Sequence, residues 1–104
     1  MSFQIDYENK DEIIIYPKGE LDVFTTPELK KEVIEIYNND KKDIVIDGTD
    51  LEYVDSTGLG ALMFILNEVK KENHNIFIQN MRPSIKKLFT ITKLDQIFQT
   101  RGEN

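Results

Sequence analysis

The segment Val54-Asp55-Ser56-Thr57-Gly58-Leu59-Gly60 sets a hydroxyl, a carboxylate and two glycines where an apolar run gives way to a helical period. Ser56 and Thr57 can each cap the helix that begins there, and the glycines permit close approach of another backbone. The same residues admit a second chemistry. A serine hydroxyl at a helix N-terminus suits a phosphate, because unpaired N–H groups and the helix dipole stabilise negative charge. That phosphate would bring a charge of about −1.5 to −2 beside Asp55, so a surface packed on the hydroxyl would meet repulsion and desolvation. The residues alone leave capping and phosphate chemistry equally open.

A second segment, Gly19-Glu20-Leu21-Asp22-Val23-Phe24-Thr25-Thr26-Pro27, also follows an apolar run and opens a helix. It is expected on the same sheet edge, with Asp22 and Thr25 flanking Ser56. A turn plus a cap explains Asp, Thr and Pro without any partner, and for this segment alone it is the preferred reading. Phe24 reads either as a core plug or as an interface anchor.

The elements that must hold these segments follow from periodicity. Phe3, Ile5 and Tyr7 alternate with polar residues as in a half-buried strand, and Asn9-Lys10-Asp11 supplies a turn. Ile13-Ile14-Ile15-Tyr16 is a β-branched strand that Pro17 is expected to end or bulge, so that residues 19–22 leave it. Thr26-Pro27-Glu28 reads as a helix start with Thr26 as cap, and Leu29, Val33, Ile36 and Tyr37 share one face. Ile44-Val45-Ile46 with Leu51, Tyr53 and Val54 suggests a buried parallel strand interrupted near Gly48. Leu59, Leu62, Met63, Leu66 and Val69 recur at helical spacing. Ile76-Phe77-Ile78 is a further strand, Pro83 opens a helix carrying Ile85, Leu88 and Phe89, and Leu94, Ile97 and Phe98 close the chain. The expected order is β-β-α-β-α-β-α-α: an α/β fold with a mixed central sheet, parallel inner strands and helices packed on it.

A chain of 104 residues fits one domain over residues 1–104, with its core over about 3–100 and residues 101–104 as a tail. A net charge of −6 argues against a phosphate backbone as partner, so no nucleic acid is expected. The absence of cysteine excludes disulfides and thiolate metal sites. The first residues lack a basic n-region and no stretch approaches about 20 apolar residues, so the expectation is a cytoplasmic protein with no membrane contact, monomeric when free.

Enzyme chemistry finds little support. The single histidine, His74, lies in a polar turn at the far end of the long helix from Ser56 and reads as a solvated turn residue, too far away for a triad. Asp55-Ser56-Thr57-Gly58 is superficially similar to the aspartic-protease signature but has an extra residue and no second copy. No phosphate-binding Gly-x-x-x-x-Gly-Lys-Ser/Thr loop occurs, and Asp47, Asp50 and Asp55 read as a solvated acidic edge rather than a cation site. No catalytic residue, metal or cofactor is expected.

Taken together, Gly19 through Pro27 and Asp55-Ser56-Thr57-Gly58-Leu59-Gly60 resemble the paired signature of bacterial anti-sigma factor antagonists, and the similarity extends to Leu94-Asp95-Gln96-Ile97-Phe98. The resemblance implies the STAS fold and a partner-switching cycle. In that cycle the unphosphorylated protein binds an anti-sigma factor that is also a serine kinase of the GHKL ATPase type. A sigma factor is thereby freed. The kinase phosphorylates the serine that corresponds to Ser56, and a PP2C-type phosphatase reverses the step. Asp22, Thr25, Asp55, Thr57, Gly58, Leu59 and Gly60 match partner-facing positions of the family. The alternative is a STAS scaffold, sensor or transport-accessory module without sigma-factor control.

Overall fold

Isoleucine and valine crowd the segments of period two, and those segments form the sheet. The structure, a computed structural model, describes residues 4–101. Strand β1 (Gln4–Asn9) turns back through residues 10–12 into β2 (Ile13–Leu21), antiparallel, with Ile5 opposite Pro17 and Asn9 opposite Ile13. Ile5 and Tyr7 lie in that strand as the alternation predicts; Phe3 of the same pattern and residues 102–104 of the tail lie outside the described residues. Helix α1 (Thr26–Asn39), β3 (Ile44–Asp47), β4 (Leu51–Val54), α2 (Ser56–Lys70), β5 (Ile76–Gln79), α3 (Pro83–Ile91) and β6 (Gln99–Thr100) complete the order. The sheet runs β1-β2-β3-β5-β6, with β4 also on β2, and every pairing other than β1 with β2 is parallel.

Two expectations are corrected. Strand β2 does not end near Pro17 but continues to Leu21. It does so because it changes partner there: Ile13, Ile14 and Ile15 pair with β3, and Gly19, Glu20 and Leu21 pair with β4, so the missing N–H of Pro17 falls between the two ladders. The interruption near Gly48 is the matching break on the other side. The closing segment is likewise not a fourth α-helix. Lys93 takes a left-handed conformation (φ 63°), only one 3₁₀ turn follows at Leu94–Gln96, and the chain then joins β5 as β6. Phe98 instead serves the core, meeting Phe89 edge to face at 5.6 Å.

Alternation along the strands puts Ile13, Ile15, Ile44, Ile46, Ile76 and Ile78 in one buried cluster with Leu29 and Val33 of α1, Leu62, Ile65, Leu66 and Val69 of α2, and Ile85 and Phe89 of α3. Burial of that apolar surface is the main stabilising term. Its consequence for function is rigidity: the carboxyl ends of β2 and β4 are fixed side by side.

Asp47, read from the sequence as part of a solvated edge, is 5% exposed and ties that edge together. Its Oδ1 accepts from the Thr49 N–H (2.9 Å) and hydroxyl (2.6 Å), while Oδ2 accepts from the side-chain amides of Gln79 and Asn80, both at 2.9 Å. Burial pushes this carboxyl up, but the donors from Thr49, Gln79 and Asn80 outweigh it and hold it below the usual value of 3.8. Asp47→Ala strands these donors and is expected to cost about 2–3 kcal/mol at pH 7. Because the folded-state value is depressed, the ionic part of the stabilisation is present above pH 3.8 and fades as pH falls further. The stability gap between wild type and Asp47→Asn in urea unfolding should therefore narrow between pH 5 and pH 2.5. A gap independent of pH would mean that the buried group is not ionised.

Candidate functional site

Strand β2 delivers residues 22–25 and β4 delivers residues 55–58 to the same sheet edge. Leu21 pairs with Val54, and the Asp55 N–H donates to the Leu21 carbonyl at 3.1 Å. Asp55 is thereby held extended (φ −105°, ψ −171°), and its Oδ1 accepts the Gly58 N–H at 3.0 Å. The cap of α2 is thus Asp55 and neither Ser56 nor Thr57, since only Asp55 is pinned by a neighbouring strand in the conformation a cap requires. Ser56 becomes the first residue of the helix. Its hydroxyl is relieved of capping and faces solvent, as does Thr57.

The residues 22–25 loop is built with equal care. Asp22 Oδ1 accepts from the N–H groups of Phe24 (2.9 Å) and Thr25 (3.2 Å). The Thr25 hydroxyl accepts the Asp22 N–H (2.9 Å) and donates to the Glu20 carbonyl (2.8 Å). Thr25 is the N-cap residue of α1 by backbone position, one residue before the expected Thr26, yet its side chain is spent on the loop. These bonds leave Val23 and Phe24 pointing outwards, with Phe24 82% exposed. Phe24 is not a core plug.

The sequence-predicted residues therefore divide by exposure. Ser56, Thr57 and Gly60 are exposed and Asp22 and Asp55 half-buried, whereas Thr25, Gly58 and Leu59 are buried. Gly58 is where α2 rides against β2: a Cβ there would lie 2.7 Å from the Leu21 carbonyl oxygen and 2.8 Å from its Cβ. Gly60 has nothing within 4 Å of such an atom. Ser56 also stands on the rim of a groove of about 480 Å³ between the end of β4 and α3, lined among others by Tyr53, Leu59, Ile85 and Leu88. No residue pattern signals this groove, because it forms only where α3 packs beside β4.

His74 is half-buried rather than solvated. Its Nδ1 lies 2.7 Å from the Tyr37 hydroxyl and the two rings meet edge to face. It lies beyond the end of α2 opposite Ser56, a helix of 15 residues and so about 22 Å long. Among the described residues no group of three or more His, Cys, Asp or Glu side chains could hold a metal ion, and no helix is long and apolar enough to cross a membrane.

A mixed sheet with helices on its buried face and two hydrogen-bonded loops brought together at its carboxyl edge defines an α/β domain. The STAS domain family model matches residues 4–103, and the chain belongs to that family. The anti-sigma-B factor antagonist of Listeria monocytogenes is 32% identical over 104 residues, covering 98% of this chain and 90% of the relative. The anti-sigma factor antagonist SpoIIAA in its unphosphorylated form shares the fold with a TM-score of 0.79 at 19% identity, over 98% of this chain and 90% of its own. The phosphorylated form of Bacillus SpoIIAA does so at 0.72 and 20% identity, over 98% and 93%.

Proposed function

We propose that this chain is an anti-sigma factor antagonist whose unphosphorylated form binds an anti-sigma factor and frees a sigma factor. Phosphate on Ser56 ends the complex. The observation that carries the reading is the placement of Ser56: an exposed hydroxyl beside an already occupied cap, at the edge where both motif segments meet. The name of the Listeria relative supports the partner class. The anti-sigma factor is itself the kinase, of the GHKL ATPase type, and a PP2C-type phosphatase restores the hydroxyl. Asp22, Asp55, Thr57 and Gly60 meet the partner directly; Thr25, Gly58 and Leu59 hold the shape that it meets. The protein works as a single domain in the cytoplasm and is not an enzyme.

The chemistry asks little of the chain itself. The Ser56 oxygen attacks the γ-phosphorus of ATP held by the kinase, ADP leaves with the bridging oxygen, and a base of the kinase takes the hydroxyl proton. What this chain supplies is an accessible nucleophile on a rigid turn.

The test is competition. A preformed complex of the sigma factor with the anti-sigma factor from the same genome is mixed with this protein and resolved by size exclusion. Release of free sigma factor is expected without ATP, and with ATP the complex should re-form as one phosphate enters Ser56. If the sigma complex survives a tenfold excess of the unphosphorylated chain and no phosphate is transferred, the reading is wrong.

A further inference from the structure

We infer that Phe24 is the principal anchor of the anti-sigma factor complex, entering an apolar pocket whose rim carries Lys or Arg. The inference rests on the proposed function and adds a contact that the motif match does not assign.

Exposure is the first ground. Phe24 is 82% exposed and Val23 58%, the two most apolar residues of the loop turned away from a core only a few residues distant. Phe64 on the exposed face of α2 offers a contrast, since the Lys30 ammonium sits 5.0 Å from the centre of its ring. Among the described residues no cation sits over the ring of Phe24. Exposed aromatic side chains on ordered turns are costly in water and fit the residue types that dominate interface energies.

Rigidity is the second. Asp22 fixes the Phe24 N–H, and Thr25 ties both ends of the turn to Glu20 and Asp22. The aromatic ring is therefore presented on backbone that loses little freedom on binding, which is the condition for an anchor. Position is the third: Leu21 and Val54 are paired, so the turn bearing Phe24 and the turn bearing Ser56 leave neighbouring strand ends. A body covering the Ser56 hydroxyl is brought against Phe24.

Charge fixes the chemistry of the occupant. Residues 19–28 and 50–60 contain Glu20, Asp22, Glu28, Asp50, Glu52 and Asp55 and no Lys or Arg. A second copy of this chain would bring the same acids face to face, so a copy is disfavoured and a basic-rimmed partner favoured. The same field explains how phosphate at Ser56 would act on the anchor: the basic rim would tolerate one more anion, but the desolvated contact around the hydroxyl would not.

The experiment is calorimetric titration of the full chain into the anti-sigma factor, without ATP, for wild type, Phe24→Ala and Phe24→Leu. Phe24→Ala should weaken binding by at least about 30-fold, the range of interface anchors, through faster dissociation, with Phe24→Leu intermediate. Its melting temperature should equal that of wild type, because the ring supports nothing in the free protein. Wild type should bind more weakly as salt is raised, while the factor lost in Phe24→Ala stays constant with salt. Binding of Phe24→Ala within threefold of wild type overturns the inference and leaves the proposed function intact. If wild type fails to bind, both fall. A wild-type dimer at micromolar concentration that Phe24→Ala dissolves would also overturn it, by assigning the ring to self-association.

Discussion

The phosphorylated chain is expected to bind its anti-sigma factor at least about 100-fold more weakly than the unphosphorylated chain, while Ser56→Ala binds within about threefold of wild type. The argument is one of crowded anions. Ser56 directly follows Asp55, whose carboxylate already takes the Gly58 N–H. The Gly58 N–H is therefore unavailable to a phosphate on Ser56, which would stand beside a second negative charge on the exposed side of the turn. Both anions belong to this chain in the free and the bound state, so the cost that falls on binding is dehydration of the dianion beside Asp55 at a closed contact, and about 2.7 kcal/mol of it already makes two decades in affinity.

Ser56→Asp places a single negative charge on a shorter arm, so its loss should lie between those of Ser56→Ala and phosphoserine. Surface plasmon resonance on the immobilised anti-sigma factor distinguishes the outcomes. Equal affinities of phosphorylated and unphosphorylated chains would remove the release mechanism. A large loss in Ser56→Ala would make the hydroxyl itself a required contact. Neither result would be explained by misfolding, because Ser56 is exposed and the cap of α2 belongs to Asp55.

The order of strands and helices was legible in the sequence wherever period alone decides it, as in the isoleucine strands and the apolar face of α2. Where neighbours decide, it was not. Asp55, Ser56 and Thr57 are all good caps, and the choice among them is made by the hydrogen bond that the Asp55 N–H, just past β4, donates to the Leu21 carbonyl. Asp47 has the composition of a surface acid and becomes a buried clamp because Gln79 and Asn80, more than 30 positions away, reach it. The left-handed Lys93 carries no mark in its residue type, so the helical spacing of Leu94, Ile97 and Phe98 misleads. Phe24 resolves the other way: its residue type in a loop favoured a core plug over an interface anchor, and only the exposed turn rules the core plug out. The candidate site was legible because its two motifs are local in sequence, while the groove beside Ser56 and the bonds that stiffen the 22–25 loop are products of tertiary packing.

The two glycines of the Ser56 turn should respond to substitution with opposite signs in stability and the same sign in binding. Gly58→Ala sets a methyl 2.7 Å from a backbone oxygen, 2.8 Å from the Leu21 Cβ and 2.9 Å from a Val54 methyl. Neither Leu21 atom can swing aside, so the helix must lift off β2, at a cost of about 2–3 kcal/mol by the scale of overpacked cores. Gly58→Val should be worse still. The displacement also carries Ser56 away from residues 22–25, so binding should fall with stability. Gly60→Ala meets open space within α2 and should gain about 1 kcal/mol, the usual cost of glycine inside a helix. A helix that forgoes that gain on its exposed face has room there for a partner's close approach, and Gly60→Ala should therefore bind about tenfold more weakly despite melting higher. Urea unfolding and titration of the same samples give both readouts. A neutral Gly58→Ala would contradict the close packing of α2 on β2, and a stabilised Gly60→Ala with unchanged affinity would remove Gly60 from the docking surface.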